Sequence, residues 1–142
     1  MKRKLLYAVV LIMISSGAKA DYSPTPGTQG ALNKGACDQY KQDDRKLNEI
    51  YQAILNDKAY VSQTEFLASF KKAEVQWIKY RDAELEALFP GTNKQSEWGS
   101  IYPMCACSEM DGLTRQRIEE LQHWYIGKEE GDVCGGTEKT KP

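Results

Sequence analysis

The chain has 142 residues, of which 27% are charged, and it contains four cysteines and a single histidine. Its 19 basic and 20 acidic side chains give a formal net charge of −1. This balance disfavours binding to nucleic acid, which depends on clustered Lys and Arg, and the length favours one domain.

The first twenty residues have the features of a signal peptide. Three basic residues at positions 2–4 precede ten uncharged residues at positions 5–14, and Ala18-Lys19-Ala20 has the small-x-small form of a cleavage site. The apolar run is about half of the roughly 20 residues that cross a bilayer. We therefore predict that residues 1–20 are a cleaved signal peptide and that no membrane span remains.

Cleavage after Ala20 removes four basic residues and no acidic one. The mature chain then has 122 residues and a formal charge of −5. We expect it in the periplasm or secreted. A negative surface speeds encounter with partners of the opposite sign, so it favours a cationic protein as partner. The sequence leaves the oligomeric state open.

The mature chain begins with an irregular segment followed by a first helix. Residues 21–35 are rich in Pro, Gly and Thr, which predicts a flexible N-terminal arm. From residue 36 to residue 56, apolar side chains recur at spacings of three and four, which predicts an amphipathic helix. A helical domain is expected from this point to residue 127.

A complete start signal predicts the second helix. Ser62 and Glu65 have the spacing of a capping box, and Val61 and Phe66 are placed to form a hydrophobic staple. The helix should run to Phe89, because Pro-Gly follows it. Residues 92–107 lack periodicity and predict a long loop.

A third helix is expected to begin between residues 108 and 113 and to end at Gly127. The polar tail, residues 128–142, would be anchored at Cys134 and disordered at its end. No strand is predicted. The fold class is therefore all-α, a small bundle of three main helices with a long disulfide-tied loop between the second and third.

The four cysteines all follow the predicted cleavage point, and an even number in an exported chain predicts two disulfides. A bond between Cys105 and Cys107 would close a strained ring. Cys37 should therefore pair with one of these two cysteines and Cys134 with the other. A metal site using these thiolates and His123 has the wrong spacing for a zinc knuckle and suits an oxidising compartment poorly. No metal or other cofactor is predicted.

The segment Trp77 to Leu85 concentrates aromatic and charged residues on the second helix. Trp77 and Arg81 are one turn apart and share the inward face, whereas Asp82 points outward. A buried Arg needs a partner, and Asp44 or Asn48 on the first helix can supply one. A core cluster locked by an ion pair between helices is the preferred interpretation.

No catalytic machinery is evident. General acid–base catalysis usually needs a histidine or two converging carboxylates, and no Gly-rich phosphate loop, nucleophile elbow or His-Glu metalloprotease motif is present. We predict that the protein is not an enzyme.

Three motifs that follow Cys37 carry a family resemblance. They are Asp44-x-x-Leu47-Asn48-x-x-Tyr51, Trp77-x-x-Tyr80-Arg81-Asp82 and Leu113-Thr114-x-x-Arg117-x-x-x-Leu121. In this order they resemble the lysozyme-inhibitor LprI-like family of small exported bacterial proteins. The resemblance covers residues 37–121 and implies an all-helical, disulfide-tied envelope domain that binds lysozyme. The matched residues are interpreted as scaffold.

Two positions depart from the family pattern. Glu74 stands where the family often has Gln, and Leu85 stands where it often has a cysteine, so that cysteine's disulfide must be absent or rerouted through Cys134. The function expected from the resemblance is protein binding, with inhibition of lysozyme-type enzymes. The alternative is an immunity or adaptor protein for another envelope partner. Trp98 and Tyr102 are the candidate contact residues.

Overall fold

We describe residues 25–142 in a computed structural model of the chain. The predicted signal peptide, its cleavage point and the first part of the N-terminal arm lie outside these residues. The described part contains α1 (Gln29–Leu55), α2 (Thr64–Leu88), the short α3 (Lys94–Trp98), a 3-10 turn (Gly99–Ile101) and α4 (Tyr102–Ile126). The prediction of an all-α fold with three main helices is confirmed.

Helix α1 begins earlier than its apolar periodicity predicts. Thr28 caps it, since its hydroxyl accepts a hydrogen bond from the amide of Ala31 at 3.2 Å. The second half of the predicted arm is therefore helical. Residues with poor helix propensity can extend a helix when a cap satisfies the first free amides, and this outweighs Gly30 and Gly35 here.

The predicted capping box of α2 is not formed. The helix begins at Thr64 with Gln63 as N-cap, and no side chain there accepts a capping hydrogen bond. The predicted staple residue Val61 is 55% exposed. Its neighbour Tyr60 packs on Phe66 instead, with ring centroids 4.6 Å apart. The aromatic contact therefore sets how the chain enters α2.

The prediction of a long loop at residues 92–107 is wrong. These residues form α3, the 3-10 turn and the first turns of α4, which starts at Tyr102 with Pro103 in its first turn. Pro is favoured there because its missing N–H has no partner in a helix start anyway. Gly127 ends α4 as predicted, with a φ of 95° that favours glycine.

The three long helices alternate in direction. Cys37 near the start of α1 meets Cys107 near the start of α4, whereas Phe66 at the start of α2 packs on Trp124 at the end of α4. Helices α1 and α4 therefore run in parallel and form the closest helix pair, and α2 runs the opposite way. Their shared core consists of Leu47, Ile54, Tyr60, Phe70, Ile118 and Leu121.

Tyr60 is the largest fully buried side chain, and no pattern in the sequence marks it. Its hydroxyl donates to the carbonyl of Trp124 at 3.0 Å and accepts from the amide of Lys139 at 2.8 Å. Tyr60 thus connects the α1–α2 turn, the end of α4 and the C-terminal tail. A short connecting segment with little periodicity gives no signal for such a position.

One disulfide joins Cys37 to Cys107, with 4.9 Å between their Cα atoms. This is one of the two partners predicted for Cys37, but the bond ties α1 to α4 and not to a loop. The two cysteines are 70 positions apart in the sequence. For a loop of this length the chain-entropy model gives about 4 kcal/mol of stabilisation.

The predicted second disulfide is not formed, because Cys105 and Cys134 are free thiols. Cys105 lies in the first turn of α4. Cys134 lies beyond the other end, in a tail that folds back so that the Lys128 ammonium donates to the Gly136 carbonyl. At about 1.5 Å per residue the two thiols are roughly 30 Å apart along the helix, far beyond the Cα separation of about 7 Å that a disulfide tolerates. Cys134 therefore also does not replace the cysteine that the family often has at the position of Leu85.

The tail is attached to the bundle through Lys139 and not through Cys134. The Lys139 ammonium binds the carboxylate of Asp57 at 2.6 Å, and Lys128 and Thr140 form an isolated bridge. The Lys139 hydrogen bond lowers the pKa of Asp57. Residues 128–141 therefore pack against the end of the bundle. Among the helices of residues 25–142, none is both long and apolar enough to cross a membrane.

Candidate functional site

Two of the three sequence motifs converge on one groove between α1 and α2. The groove has a volume of about 440 Å³, and its walls include Asp44, Leu47, Asn48, Tyr51, Trp77 and Arg81. Of these side chains only Leu47 is buried; the others are half-buried or exposed. The motif residues thus line a concave surface as well as contributing to the core, and their interpretation as scaffold stays a prediction.

Arg81 is largely buried, but its closest partner differs from the predicted one. Its guanidinium donates to the carboxylate of Asp82 at 2.8 and 3.0 Å, whereas the nearest carboxylate oxygen of Asp44 is 3.9 Å away. Asp82 points outward as predicted, with its side chain 58% exposed, and it pairs with Arg81 on the same helix. Asn48 does not reach Arg81, because its amide donates to the carbonyl of Asp44 one turn earlier. The predicted bridge between helices exists only as a long contact.

The well-formed ion pair between helices joins Glu74 on α2 to Arg117 on α4. Two guanidinium nitrogens of Arg117 lie 2.8 and 3.0 Å from one oxygen of Glu74, and a third lies 2.7 Å from Glu120. Glu74 is only 8% exposed. The sequence analysis singled out both residues, Glu74 as a departure from the family pattern and Arg117 as part of the third motif, but it did not predict that they contact each other. The available signal was that Glu74 falls on the inward line of Phe70 and Trp77.

Trp77 lies beside both arginines. The guanidinium carbons of Arg81 and Arg117 are 5.4 and 5.8 Å from its ring centroid, within the range of cation–π attraction. The indole therefore links the groove to the buried ion pair, and α2 contacts its neighbours through long aromatic and charged side chains.

A second surface lies where α2, α3 and α4 meet, and we call it the aromatic corner: Leu88, Phe89, Trp98, Ile101 and Tyr102. The ring of Phe89 makes edge contacts with Trp98 and with Tyr102, each at 5.4 Å between centroids. The indole N–H of Trp98 donates to the carbonyl of Pro90 at 3.0 Å. Trp98 is 38% exposed, and Leu88 and Ile101 are about half exposed. The structure thus brings the two candidate contact residues together beside a partly exposed apolar surface.

Acidic residues lie close in the chain to the residues of the aromatic corner. Glu84, Glu86 and Glu97 are exposed, and among residues 25–142 a cationic partner is found for Glu86 alone, namely Lys94 at 2.7 Å. Within residues 25–142 the corner therefore combines exposed aromatic and aliphatic groups with an acidic border.

The α1–α4 interface contains a pair of adjacent carboxyl groups. Burial raises the pKa of Asp111, and the adjacent Asp43 adds to the shift. A hydrogen bond from Gln39 lowers the pKa of Asp43. Among residues 25–142, no group donates a hydrogen bond to one buried oxygen of Asp111, while its other oxygen lies 3.3 Å from Arg115. The pair is placed between helices and not in either candidate surface.

Among residues 25–142, no three side chains of His, Cys, Asp and Glu form a group that could hold a metal ion. His123, the histidine weighed as a ligand beside the cysteines, is exposed near the end of α4.

Comparisons with known proteins bear on the motifs. The chain matches the model of the family described as lysozyme inhibitor LprI over residues 20–121. An uncharacterized protein of Rhizobium meliloti (strain 1021) is 28% identical over 132 residues, which cover 81% of this chain and 90% of the relative. No solved structure gives a significant match. The family match spans more than half of the chain and includes the disulfide, the groove and the aromatic corner. The resemblance found in the motifs is confirmed, and the chain belongs to the lysozyme inhibitor LprI family.

Proposed function

We propose that the mature protein is an exported inhibitor of lysozyme-type peptidoglycan hydrolases and acts by binding the enzyme directly. The observation that carries this proposal is the family match over residues 20–121. The Cys37–Cys107 disulfide supports export to the periplasm or beyond, because such bonds persist in oxidising compartments.

The aromatic corner is the contact surface in this proposal. Interface hot spots are enriched in Trp and Tyr surrounded by residues that exclude water. Trp98 fits this role because it is partly exposed yet held in place by its hydrogen bond to Pro90. Leu88 and Ile101, which precede Phe89 and Tyr102 in the chain, are about half exposed and add apolar surface to the corner.

The partner is cationic in this proposal. The mature charge of −5 and the exposed carboxylates of Glu84 and Glu97 supply an acidic border around the apolar contact. Border charges act mainly on the association rate, and salt screens them with a Debye length of about 10 Å at 0.1 M. The association rate should therefore fall as salt is added, while the dissociation rate changes little.

A turbidity assay of lysozyme on cell walls, with and without the purified mature protein, tests inhibition. Titration of lysozyme into the protein measures the affinity. Replacing Trp98 by alanine should weaken binding at least about tenfold, as expected for a central aromatic contact. Tyr125→Ala is the matched control, because Tyr125 is 49% exposed at the other end of α4.

Equal loss of affinity in both variants would contradict the assignment of the surface. Absence of inhibition and of binding across several lysozyme types, with parent protein in large excess, would contradict the function. An immunity or adaptor role toward another envelope protein would then be the remaining interpretation, and capture of that partner would be the next experiment.

A further inference from the structure

The groove between α1 and α2 carries no net charge from its lining residues. Asp44 and Glu74 contribute two negative charges, and Lys71 and Arg81 contribute two positive ones. Glu74 and Arg81 are each paired with a residue outside the lining, Arg117 and Asp82, which leaves one charge of each sign, Asp44 and Lys71. A site with this balance does not select for an anion or a cation, so its ligand is expected to be neutral.

One wall of the groove offers unused hydrogen-bonding groups. Tyr40, Asp44, Asn48 and Tyr51 follow one another along α1 at spacings of four, four and three, and all line the groove. Within residues 25–142, the hydroxyls of Tyr40 and Tyr51 make no hydrogen bond to protein. The Asn48 amide nitrogen is used by the backbone, which leaves its oxygen as an acceptor. Four polar side chains on this wall therefore have donor or acceptor atoms that are available to a ligand.

The opposite wall is apolar where it is most open. Val75 and Ile78 on α2 line the groove and are 50% and 40% exposed. The groove volume of about 440 Å³ lies within the usual range for small-molecule sites, about 300–1,000 Å³. A matching ligand needs hydroxyl groups on one side and C–H groups on the other.

We propose that this groove binds a neutral carbohydrate, namely one or two sugar rings of a glycan strand. Sugar hydroxyls would meet Tyr40, Asp44, Asn48 and Tyr51, and the C–H face of a ring would rest on Val75 and Ile78. This goes beyond the proposed inhibition, because it gives the protein a second surface that holds the enzyme's kind of substrate while the aromatic corner meets the enzyme.

Chemical-shift mapping of the folded mature protein with chitotetraose, a neutral chain of four N-acetylglucosamine units, tests the proposal. Amide shifts should concentrate at positions 40–51 and 71–81. The double variant Tyr40→Phe/Tyr51→Phe removes two hydroxyls and keeps both rings, so it should remain folded and bind at least about fivefold more weakly. Tyr125→Phe removes an exposed hydroxyl far from the groove and should bind like the parent.

Asn48→Ala is a second variant at an exposed helix position and should also weaken binding. The proposal is overturned if chitotetraose causes no shift up to about 10 mM, if the shifts map away from the groove, or if the double variant binds as tightly as the parent. It is also overturned if lysozyme, and not the sugar, perturbs the groove. Inhibition of lysozyme by the double variant is measured separately and should equal that of the parent. The two proposals can therefore fail independently.

Discussion

Removal of the Arg117 side chain should destabilise the domain more than removal of the Arg81 side chain. The change leaves the carboxylate of Glu74, 8% exposed, without the two hydrogen bonds at 2.8 and 3.0 Å that neutralise it. Stranding one member of a buried ion pair commonly costs about 3–5 kcal/mol. We expect Arg117→Ala to lower the free energy of unfolding by this amount, against a total of about 5–15 kcal/mol.

A double-mutant cycle separates the ion pair from packing. Glu74→Gln retains the shape of the side chain and leaves Arg117 its exposed partner Glu120, so it should cost only about 1–2 kcal/mol. The variant with both changes should cost less than the sum of the two, by about 1–3 kcal/mol, because no buried charge is then left alone.

Urea denaturation measures these values, and thermal melts should show a loss of about 10–20 °C for Arg117→Ala. Arg45→Ala is the control, since Arg45 is exposed on α1 and should change stability by about 0.5 kcal/mol or less. A cost below about 1 kcal/mol for Arg117→Ala, or strictly additive single changes, would refute the reasoning.

Three further outcomes are expected. Alkylation without reduction, followed by mass mapping, should label Cys105 and Cys134 only, and complete protection of either thiol would contradict the single-disulfide arrangement. Asp111 has a folded-state pKa raised above its ordinary 3.8, so its contribution to stability is full below that pH and is lost as pH rises through the folded pKa. Asp111→Asn should therefore lose less stability than the parent between about pH 4 and pH 7, measured by urea denaturation at each pH. Arg81→Ala should cost only about 1–2 kcal/mol in thermal melts, because its close partner is an exposed carboxylate.

The long helices were predictable because their apolar residues repeat with helical spacing. The apolar repeat, together with the start signal before Thr64 and the glycine stop at Gly127, located α2 to within a few residues and the end of α4. It failed at residues 92–107, where a 3-10 turn and a proline-led helix start interrupt the repeat. Short elements have too few residues for a period to emerge, and tertiary contacts decide their conformation.

Side-chain pairing was less predictable than helix position. The sequence identified Arg81 as an inward residue that needed a partner. A small rotation of α2 about its axis decides which carboxylate the guanidinium meets, and the sequence does not contain that rotation. Glu74 and Arg117 are 43 positions apart, and their pairing depends on how far α2 is shifted along α4. The pattern of a single helix contains no information about that shift. The prediction of a second disulfide was wrong because the spacing of the cysteines along the chain did not reveal that α4 separates the two thiols.

The contacts that hold each helix in place determine which substitutions can test a surface. Helices α1 and α4 are joined by a disulfide and by close packing, whereas α2 is held by Phe66 and Phe70 in the core and by the Glu74–Arg117 ion pair. One wall of the groove lies on α2, and the aromatic corner begins where α2 ends, so a change at Glu74 or Arg117 that shifts α2 would disturb both surfaces at once. Loss of inhibition in such a variant would not identify a contact residue. The informative variants are those whose side chains leave α2 in place: Trp98 at the corner, and the Tyr40 and Tyr51 hydroxyls on the α1 wall.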